Sequence, residues 1–343
     1  MFVYLERKYI SMKVGKLNWD ELEDLIDSSR GKTRDDVRIK SGVGEDCCVI
    51  NYGDYECALS TDPITGASEN SGRLAVHINC NDVAATGVEP IGILVTILAP
   101  EDASMDDIKR VMKEIDEEAR QLGIEVLGGH TEVTKAVNRM IISCTVVGKA
   151  KSGKAVPTSG AKKGDDIIVT KDLCLEGACI IANDYENALA GILTAEELEE
   201  AKAYMRQISV VPEGMIAGEF GVNSMHDITE GGVLGALWEV ANASGKGFVV
   251  YRDRMPVTAV AMKICDSFGI DPLRLISSGS MLITCSRGEQ LVELLKDKGI
   301  KAGIIGKIAD SGGYLQDGAE KIEVTPPERD ELFVLADKLN NTL

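Results

Sequence analysis

Apolar residues recur along the chain at two spacings, which predict an alternation of helices and strands. Between residues 104 and 123 they recur every three or four positions, and a serine and a glycine bound the run, which is typical of a capped amphipathic helix. Residues 90–98 are almost continuously apolar, which predicts a buried strand. Residues 47–52 and 56–61 are strand-like, and Gly53-Asp54 between them predicts a hairpin turn.

A basic stretch at residues 149–163 separates two such series of elements. It holds five lysines and Pro157, and it predicts a linker between two domains, residues 1–155 and 156–343. Both halves mix strands with helices, so the predicted fold class is α/β (α+β). Further predicted helices cover residues 72–87, 176–183, 194–208, 212–221, 234–244 and 289–298, with one capped at Asn18 and one beginning near Pro327. Further predicted strands cover residues 124–127, 140–147, 166–170, 248–251, 275–285 and 302–308, with a last hairpin at 317–318.

Length and charge limit the classes of protein to which the chain can belong. With 343 residues, of which 44% are hydrophobic, it has material for two cores of roughly 150 residues each. The net charge of −18 argues against nucleic acid and anionic membranes as partners, because both need a basic surface. No apolar run reaches the roughly 18 residues that span a bilayer. The charge is compatible with Mg-ATP if carboxylates meet the nucleotide through the metal, and equally with solubility alone.

The nine cysteines form no C-x-x-C pair, and most lie in apolar runs. An odd number without framework spacing predicts reduced, buried thiols and a cytoplasmic location. Only three histidines are present, which argues against a zinc site.

Three aspartates are candidate metal ligands: Asp46, Asp62 and Asp82. They belong to different predicted elements, and they converge if those elements are neighbours. Mg²⁺ prefers oxygen ligands and binds through a few carboxylates together with phosphate oxygens. Glu45 is a fourth candidate. Each acid, taken alone, is explained equally well as a cap or turn residue.

Two glycine pairs are candidate phosphate-binding positions: Gly42 with Gly44, and Gly128 with Gly129. Glycine lets backbone N–H groups approach a phosphate closely, although tight turns explain the same residues. The chain has neither the P-loop pattern nor a G-x-G-x-x-G pattern after a strand.

Three further residues could act on a bound substrate. His130 follows the second glycine pair, although a lone histidine is commonly a hydrogen-bonded structural residue. Lys171 follows a predicted strand, where it pairs with phosphate or simply faces water. Asp227 begins the segment Asp-Ile-Thr-Glu-Gly-Gly at a helix start, which suits either an anion or a plain cap.

In their order along the chain, these short segments resemble the AIR synthase (PurM-like) superfamily. The segments are residues 41–46 (Ser-Gly-Val-Gly-Glu-Asp), 60–62 (Ser-Thr-Asp), 81–82 (Asn-Asp), 128–132 (Gly-Gly-His-Thr-Glu) and 227–232. Within that superfamily, residues 163–171, 175–177 and 243–245 are most similar to the branch of the hydrogenase-maturation protein HypE.

The resemblance implies a two-domain PurM-like fold, in which an N-terminal sheet domain forms a barrel in a homodimer and the C-terminal domain is an α/β sandwich. It implies ATP and Mg²⁺ as cofactors and, in most members, activation of an oxygen atom by phosphorylation. It also places the segment from Asp227 on the side of the second substrate. The candidate metal ligands are then Glu45, Asp46, Asp62 and Asp82. The candidate nucleotide-binding residues are Gly42, Gly44, Asn81, Gly128, Gly129, Thr131 and Lys171, with Gly128 to Thr131 in a loop. The candidate catalytic residues are Asp82, His130 and Asp227.

The sequence departs from the HypE pattern at several places. The usual Gly-Asp-Asp contains Glu45, the usual Gly-Gly-Asp-Thr contains His130, and the usual arginine before the C-terminal glycine pair is Glu230. The last change predicts a different second substrate. HypE carries its carbamoyl group on a C-terminal cysteine, whereas the last cysteine here, Cys285, falls in a predicted strand.

The resulting prediction is a HypE-like, ATP-dependent enzyme that activates an oxygen of an unidentified small-molecule or protein acceptor by phosphoryl transfer. Two alternatives stay open. One is a small-molecule kinase similar to thiamine-monophosphate kinase, or a purine-pathway ligase. The other is an ATP sensor or maturation scaffold without turnover.

Overall fold

The structure is a computed structural model that describes residues 15–17, 19–65, 70–326 and 329–340. The predicted cap at Asn18 and the predicted helix start near Pro327 lie outside these residues. Every helix in the described ranges is too short or too polar to span a bilayer.

The N-terminal half is built on one sheet and three helices. Its strands are β1 (Val37–Ile39), β2 (Cys48–Asn51), β3 (Tyr55–Ile64), β4 (Glu89–Ala99), β5 (Glu125–Val133) and β6 (Ile141–Lys151), and its helices are α1 (Trp19–Ser28), α2 (Ser71–Ala85) and α3 (Met105–Leu122). Among the described residues, six strands follow the order β1-β2-β3-β6-β4-β5, and only the β4–β5 pair is parallel. Helix α2 packs on β3 and β6, and α3 packs against α2.

The C-terminal half is built on a second, larger sheet. Its strands are β7 (Asp166–Thr170), β8 (Ser224–Asp227), β9 (Gly247–Tyr251), β10 (Met281–Cys285), β11 (Ala302–Ala309), β12 (Gly313–Asp317) and β13 (Glu320–Glu323). Its helices are α4 (Leu175–Asp184), α5 (Ala195–Ala203), α6 (Val211–Phe220), α7 (Gly232–Ser244), α8 (Ala259–Phe268), α9 (Gly288–Asp297) and α10 (Glu331–Asn340). In the described part of the chain the strand order is β13-β12-β9-β11-β7-β10-β8. The two sheets confirm the predicted mixed α/β class.

Local sequence signals place several helices correctly. Ser104 accepts a hydrogen bond from the Asp107 N–H at the start of α3, and the Asp107 carboxylate accepts one from the Ser104 N–H. Thr194 and Glu197 form the same reciprocal cap on α5. Such capping boxes satisfy two N–H groups that a helix start leaves without partners, which is why they mark helix starts in a sequence.

The structure corrects two of the predicted elements and adds two. The strand predicted at 124–127 continues to Val133, so Gly128 to Thr131 lie inside a strand and not in a loop. The strand predicted at 275–285 begins only at Met281, because Ser277 and Ser280 turn the chain through hydrogen bonds to the backbone of Cys174 and Asp172. Helix α8 and strand β1 were not predicted.

The predicted linker is held firmly against the N-terminal sheet. The Glu56 carboxylate is 1% exposed and accepts hydrogen bonds from the N–H groups of residues 153–155. Arg38 donates to the same carboxylate and to the Ala155 carbonyl. The linker therefore fixes how the chain enters the second domain, while its boundary at 155/156 stays a prediction.

Helix α2 lies between the two halves and contacts both of them. It packs on the N-terminal sheet and also against α6 and β8 of the C-terminal half. Twelve of its residues are buried, including Asn81, which donates to the Ile208 carbonyl and accepts from the Val210 N–H, both at 2.8 Å. Because the helix is buried on nearly all sides, its polar residues have partners inside the protein, as Asn79 and Asp82 do with the Asp62 N–H and the Ser60 hydroxyl.

Glycines allow α2 and α6 to approach each other closely. A Cβ atom on Gly214 would lie 2.1 Å from the Ala84 carbonyl oxygen, and one on Gly218 would lie 2.8 Å from the Gly87 Cα. Both separations are shorter than non-bonded contact allows. Helix backbones touch directly at this junction, so side chains there are limited to hydrogen.

We expect Gly214→Ala to lower the free energy of unfolding by about 1–3 kcal/mol, because the added methyl group must push α6 away from α2. Chemical denaturation measured by circular dichroism tests this. The matched control is Gly303→Ala, where no atom lies within 4 Å of the added carbon. Equal stability of the two variants would contradict a direct backbone contact at the junction.

Candidate functional site

A cavity of about 450 Å³ opens between the two halves of the chain. The N-terminal half contributes the loop of residues 41–48, strand β3 and the end of α2, and the C-terminal half contributes β8 and the start of α7. Residues 15–17 and 329–330 line its rim. Its polar side chains include Lys16, Glu45, Asp46, Ser60, Asp62, Asp82, His226, Asp227, Glu230, Glu239, Arg329 and Asp330.

A hydrogen-bonded row of three side chains crosses the wall of this cavity. His226 Nδ1 donates to Asp46, at 2.6 Å from Oδ1 and 2.7 Å from Oδ2, and His226 Nε2 donates to Glu239 Oε2 at 2.6 Å. Burial alone lowers the pKa of His226, but the two carboxylates raise it well above its usual range. The two carboxylates therefore favour the protonated imidazole, which is bonded to one carboxylate from each half.

Backbone geometry brings the three residues together. Gly44 has φ +83°, and a Cβ on it would lie 3.1 Å from the Glu239 Cβ and carbonyl oxygen, so glycine lets the loop approach α7. His226 belongs to β8, where every residue is buried between neighbouring layers. Gly231 and Gly232 both have positive φ and form the sharp turn that carries the chain from β8 into α7.

Two buried aspartates, Asp82 and Asp227, face the same cavity. Asp227 is 1% exposed, and its Oδ2 atom has no hydrogen-bond partner among the described residues. Asp82 is buried as well and accepts a hydrogen bond from Ser60 Oγ at 2.5 Å. Burial, followed by neighbouring carboxylates, raises the pKa of both side chains well above the usual range. His226 and Lys16 lower the pKa of Asp227 without cancelling the rise, so these two carboxylates favour a further positively charged ligand.

The carboxylates can hold a metal ion. Ligand atoms of Asp46, His226 and Asp227 all lie within 4.8 Å of one another. Asp62 and Asp82 line the same cavity. The free oxygen of Asp227 and this donor set fit a divalent cation, which takes oxygen and nitrogen ligands at about 2.0–2.2 Å.

Two of the predicted site residues, Glu45 and Asn81, form hydrogen bonds to the backbone of neighbouring segments. Glu45 lies at the cavity, but its carboxylate accepts hydrogen bonds from the N–H groups of Thr158 and Ser159, both at 3.0 Å. Asn81 lies at the junction of α2 with the segment before α6 and bonds only to backbone atoms in the contacts described above. Gly42 and Gly44 line the cavity, and their role toward a nucleotide stays a prediction.

The structure gives Lys171 a role different from the predicted phosphate contact. Its ammonium group donates to the carbonyls of Gln207 and Ser209 and lies 2.9 Å from Glu213 Oε1. Lys171 does not line the cavity. It instead fixes the segment that leads into α6.

Gly128 to Thr131 also lie away from the cavity in this chain. They belong to β5, which is exposed along nearly its whole length at the edge of the sheet. Gly129 pairs with Val95 so closely that a Cβ would lie 1.8 Å from the Val95 carbonyl oxygen. The His130 side chain is exposed, and its Nε2 atom lies 3.0 Å from Glu132 Oε2. Their predicted roles toward a nucleotide stay predictions.

Sequence reasoning missed His226, Glu239 and the rim residues Lys16 and Asp330. The Asp330 carboxylate accepts hydrogen bonds from the N–H groups of Gly231 and Leu332, and burial raises its pKa to about 7. His226 directly precedes the segment 227–232 that the sequence analysis singled out, and this position could have identified it as a candidate site residue. Glu239 lies inside a helix, and nothing in the local pattern separates it from an ordinary helical acid.

Comparison with known families finds two consecutive matches. The description "AIR synthase related protein, N-terminal domain" matches residues 44–150, and "AIR synthase related protein, C-terminal domain" matches residues 162–317. Together they cover more than half of the chain.

Two curated relatives have names from hydrogenase maturation. A putative hydrogenase expression/formation protein of Methanocaldococcus jannaschii is 28% identical over 301 residues, which are 83% of this chain and 87% of the relative. The carbamoyl dehydratase HypE of Cupriavidus necator is 25% identical over 249 residues, which are 71% of this chain and 69% of the relative.

Solved structures show the same fold. AaThiL complexed with AMPPCP and TMP superposes with a TM-score of 0.72 at 21% identity, covering 92% of this chain and 97% of that one. HypE in complex with ATP superposes with a TM-score of 0.66 at 19% identity, covering 90% of this chain and 91% of that one. At these identities the likeness establishes the PurM-like fold and no more.

We expect Asp227→Asn to stabilise the protein in EDTA by about 1–3 kcal/mol at pH 8, and less at pH 5. The pKa of Asp227 is raised in the folded state, so as the pH rises this carboxyl group ionises in the unfolded chain before it ionises in the folded protein. The free energy of unfolding of the wild type therefore falls with rising pH. Asparagine does not ionise, so the variant does not show this fall. Denaturant titrations at both pH values test this, with the exposed Asp106→Asn as the control. A variant less stable than the wild type at pH 8 would contradict the strained-carboxylate interpretation.

Proposed function

The chain belongs to the AIR synthase related protein family, and on that premise we propose that it binds Mg-ATP in the cavity between its two halves and phosphorylates an oxygen atom of an acceptor. The observation that carries the proposal is the buried, unpartnered carboxylate oxygen of Asp227, which faces a cavity shared with Asp46 and Asp82. These acids would hold a divalent cation, and the cation would supply positive charge to them and to a nucleotide phosphate.

The residues of the chain divide the work of phosphoryl transfer by position. Asp46, Asp82 and Asp227 would hold the cation, which would supply positive charge to the phosphates. Backbone N–H groups near Gly42 and Gly44 face the phosphates, and glycine keeps that approach open. The wall formed by Thr229 and Glu230 receives the acceptor.

Two named relatives bear on the choice of reaction. The relative from Cupriavidus necator is named a carbamoyl dehydratase, and HypE and AaThiL have been solved with ATP and with AMPPCP. These names support an ATP-dependent, HypE-like activity for this chain. Cys285 is 3% exposed inside β10, so it does not offer a mobile thiol, and we propose an acceptor outside that residue.

The cavity wall that contains Glu230 and Asp330 favours an acceptor with hydrogen-bond donors over one that carries a phosphate group. Arg329 beside them is already paired with Asp337, and Lys16 interacts with Glu230 and three further carboxylates. A phosphate there lies among these carboxylates, whereas an amide or amine finds acceptors for its N–H groups. This arrangement favours the HypE-like activity over a thiamine-monophosphate kinase.

We also propose that the protein forms a homodimer through its N-terminal sheet. Four apolar side chains on β4 and β5 are between 42% and 59% exposed: Ile91, Leu94, Leu127 and Val133. Strand β5 leaves one edge without a neighbour among the described strands. Exposed apolar edges of this kind are covered in stable proteins, and a second copy buries the same patch by symmetry. The nine unpaired thiols support a cytoplasmic location.

Asp82→Asn is expected to reduce ADP formation from Mg-ATP by about 100-fold or more, because it removes a carboxylate from the cation site. Calorimetric titration with ATP, with and without Mg²⁺, should be combined with an ADP assay on the same sample. Asp106→Asn, which changes a 91% exposed side chain, is the matched control. Unchanged turnover in Asp82→Asn would refute the proposed role, and binding without ADP in the wild type would favour a sensor.

Leu94→Glu is expected to convert the dimer to a monomer, because it places a charge in the apolar patch. Sedimentation equilibrium measures the mass. Met262→Glu, at a side chain of similar exposure on α8, should leave the dimer intact. A monomeric wild type would contradict the proposed interface without touching the ATP proposal.

A further inference from the structure

We propose that the substrate that receives the phosphoryl group carries a cationic nitrogen group, a guanidinium or a protonated amine, and that Glu176, Ser278 and Asp330 form the subsite that binds it. The inference deepens the proposed function by naming the chemical class of that substrate. It rests on the proposed function only for the statement that the bound cation belongs to a phosphoryl acceptor.

Two buried oxygen atoms in this subsite have no hydrogen-bond partner among the described residues: Glu176 Oε2 and Ser278 Oγ. Glu176 belongs to the first turn of α4 and is 3% exposed, and Ser278 is fully buried in the segment before β10. The two residues are neighbours, because Ser278 lowers the pKa of the Glu176 carboxyl group. Buried polar atoms are nearly always paired, so two adjacent atoms without partners indicate a hydrogen-bond donor that the protein does not supply.

Asp330 connects these atoms to the cavity. Its carboxylate lines the cavity and accepts hydrogen bonds from the N–H groups of Gly231 and Leu332, at 2.7 and 2.8 Å. The turn that supplies Gly231 is packed tightly, since a Cβ atom on Gly232 would lie 2.6 Å from the Leu273 carbonyl oxygen. The carboxylate is therefore oriented before a ligand binds, and each of its oxygens keeps a lone pair for a further donor.

The charges around the subsite favour a cation. Burial raises the pKa of both Glu176 and Asp330 to about 7. The charged groups that act most strongly on these two carboxyl groups are acids: Glu230 raises both pKa values, and Asp330 raises that of Glu176. Lys16 acts on Glu230 from the cavity. A bound cation would stabilise the ionised form of both carboxyl groups.

The sequence difference at Glu230 points to the same class of ligand. The related pattern carries an arginine before the glycine pair, and this chain carries an acid there. Glu230 lines the cavity and acts on both carboxyl groups of the subsite. The replacement of a basic residue by an acidic one makes this wall complementary to a positive group, where the related pattern suits a negative one.

A guanidinium or ammonium group matches these atoms better than a neutral ligand does. A guanidinium has five N–H donors and an ammonium has three, and neither has an acceptor, whereas the subsite offers two carboxylates and a hydroxyl. Hydrogen bonds between charged groups are about twice as strong as those between neutral groups. A buried water would satisfy the two oxygens without partners, but it would leave the charge of the two buried acids uncompensated.

The experiment uses the full chain without nucleotide and two probes of the same shape, butylguanidinium and the neutral butylurea. Saturation-transfer NMR titrations at pH 8 measure the affinity for each probe. We expect the wild type to bind butylguanidinium at least about 10-fold more tightly than butylurea. Equal affinity for the two probes, or binding of neither, overturns the proposal.

Variants locate the bound cation. Glu176→Gln keeps the shape of the side chain and removes its charge, so the preference for butylguanidinium should fall about 10-fold. Glu199→Gln, which changes a 76% exposed side chain on α5, is the control for the overall negative charge and should keep the preference. A preference that persists in Glu176→Gln but disappears in Asp227→Asn would place the cation at the metal-binding acids and overturn the proposal.

The pH dependence of binding gives an independent measurement on the wild type, in case Glu176→Gln folds poorly. The pKa values of Glu176 and Asp330 are about 7, so both carboxyl groups are largely protonated at pH 5.5 and ionised at pH 8.5. The affinity for butylguanidinium should therefore rise about 10-fold or more over this range, while that for butylurea stays constant. An affinity for butylguanidinium that does not change with pH overturns the proposal.

The outcomes separate this inference from the proposed function. A charge preference that depends on Glu176, in a protein that forms no ADP, would uphold the subsite and remove the ATP-dependent activity. ADP formation that depends on Asp82, in a protein without the charge preference, would uphold the activity and remove the cationic substrate.

Discussion

The hydrogen-bonded row of Asp46, His226 and Glu239 joins the two halves of the chain through one buried imidazole. Asp46 comes from the loop before β2, whereas His226 and Glu239 come from β8 and α7. Buried carboxylates are tolerated only where a cation or hydrogen-bond donors face them, so the position of this ring sets the position of both acids. Segments from the two halves of the chain thus bring acidic residues to one histidine in the wall of the cavity.

Buried carboxylates in the same region lower the stability of the folded protein and offer oxygen ligands to a cation. Asp82 and Asp227 are buried with raised pKa values, and Oδ2 of Asp227 has no hydrogen-bond partner among the described residues. Groups of this kind persist in proteins where a ligand compensates them, and their pKa perturbation marks functional sites more often than structural ones. Glu45, by contrast, is satisfied by two backbone N–H groups, which separates a structural acid from its neighbours in the same loop.

How far the sequence could predict the structure depended on the range of each interaction. Caps at Ser104 and Thr194 involve residues three positions apart, so a local pattern identified them. Asp46, Asp62 and Asp82 were expected to converge if their elements are neighbours, and all three line one cavity together with Asp227. Lys171 and Asn81 could not be assigned, because their partners lie 36 to 129 positions away in the sequence. Glu239 was missed for the same reason, since only folding brings α7 to the loop at Gly44.

Helix α2 has a consequence for the way in which the protein unfolds. It belongs to the N-terminal half by sequence, yet it is the hydrophobic support for α6, and its Asn81 holds the backbone on both sides of residue 209. A fragment that ends after the first domain would expose one whole side of this helix to water. Melting of either half removes the surface on which the other is packed, so the two domains share one cooperative transition.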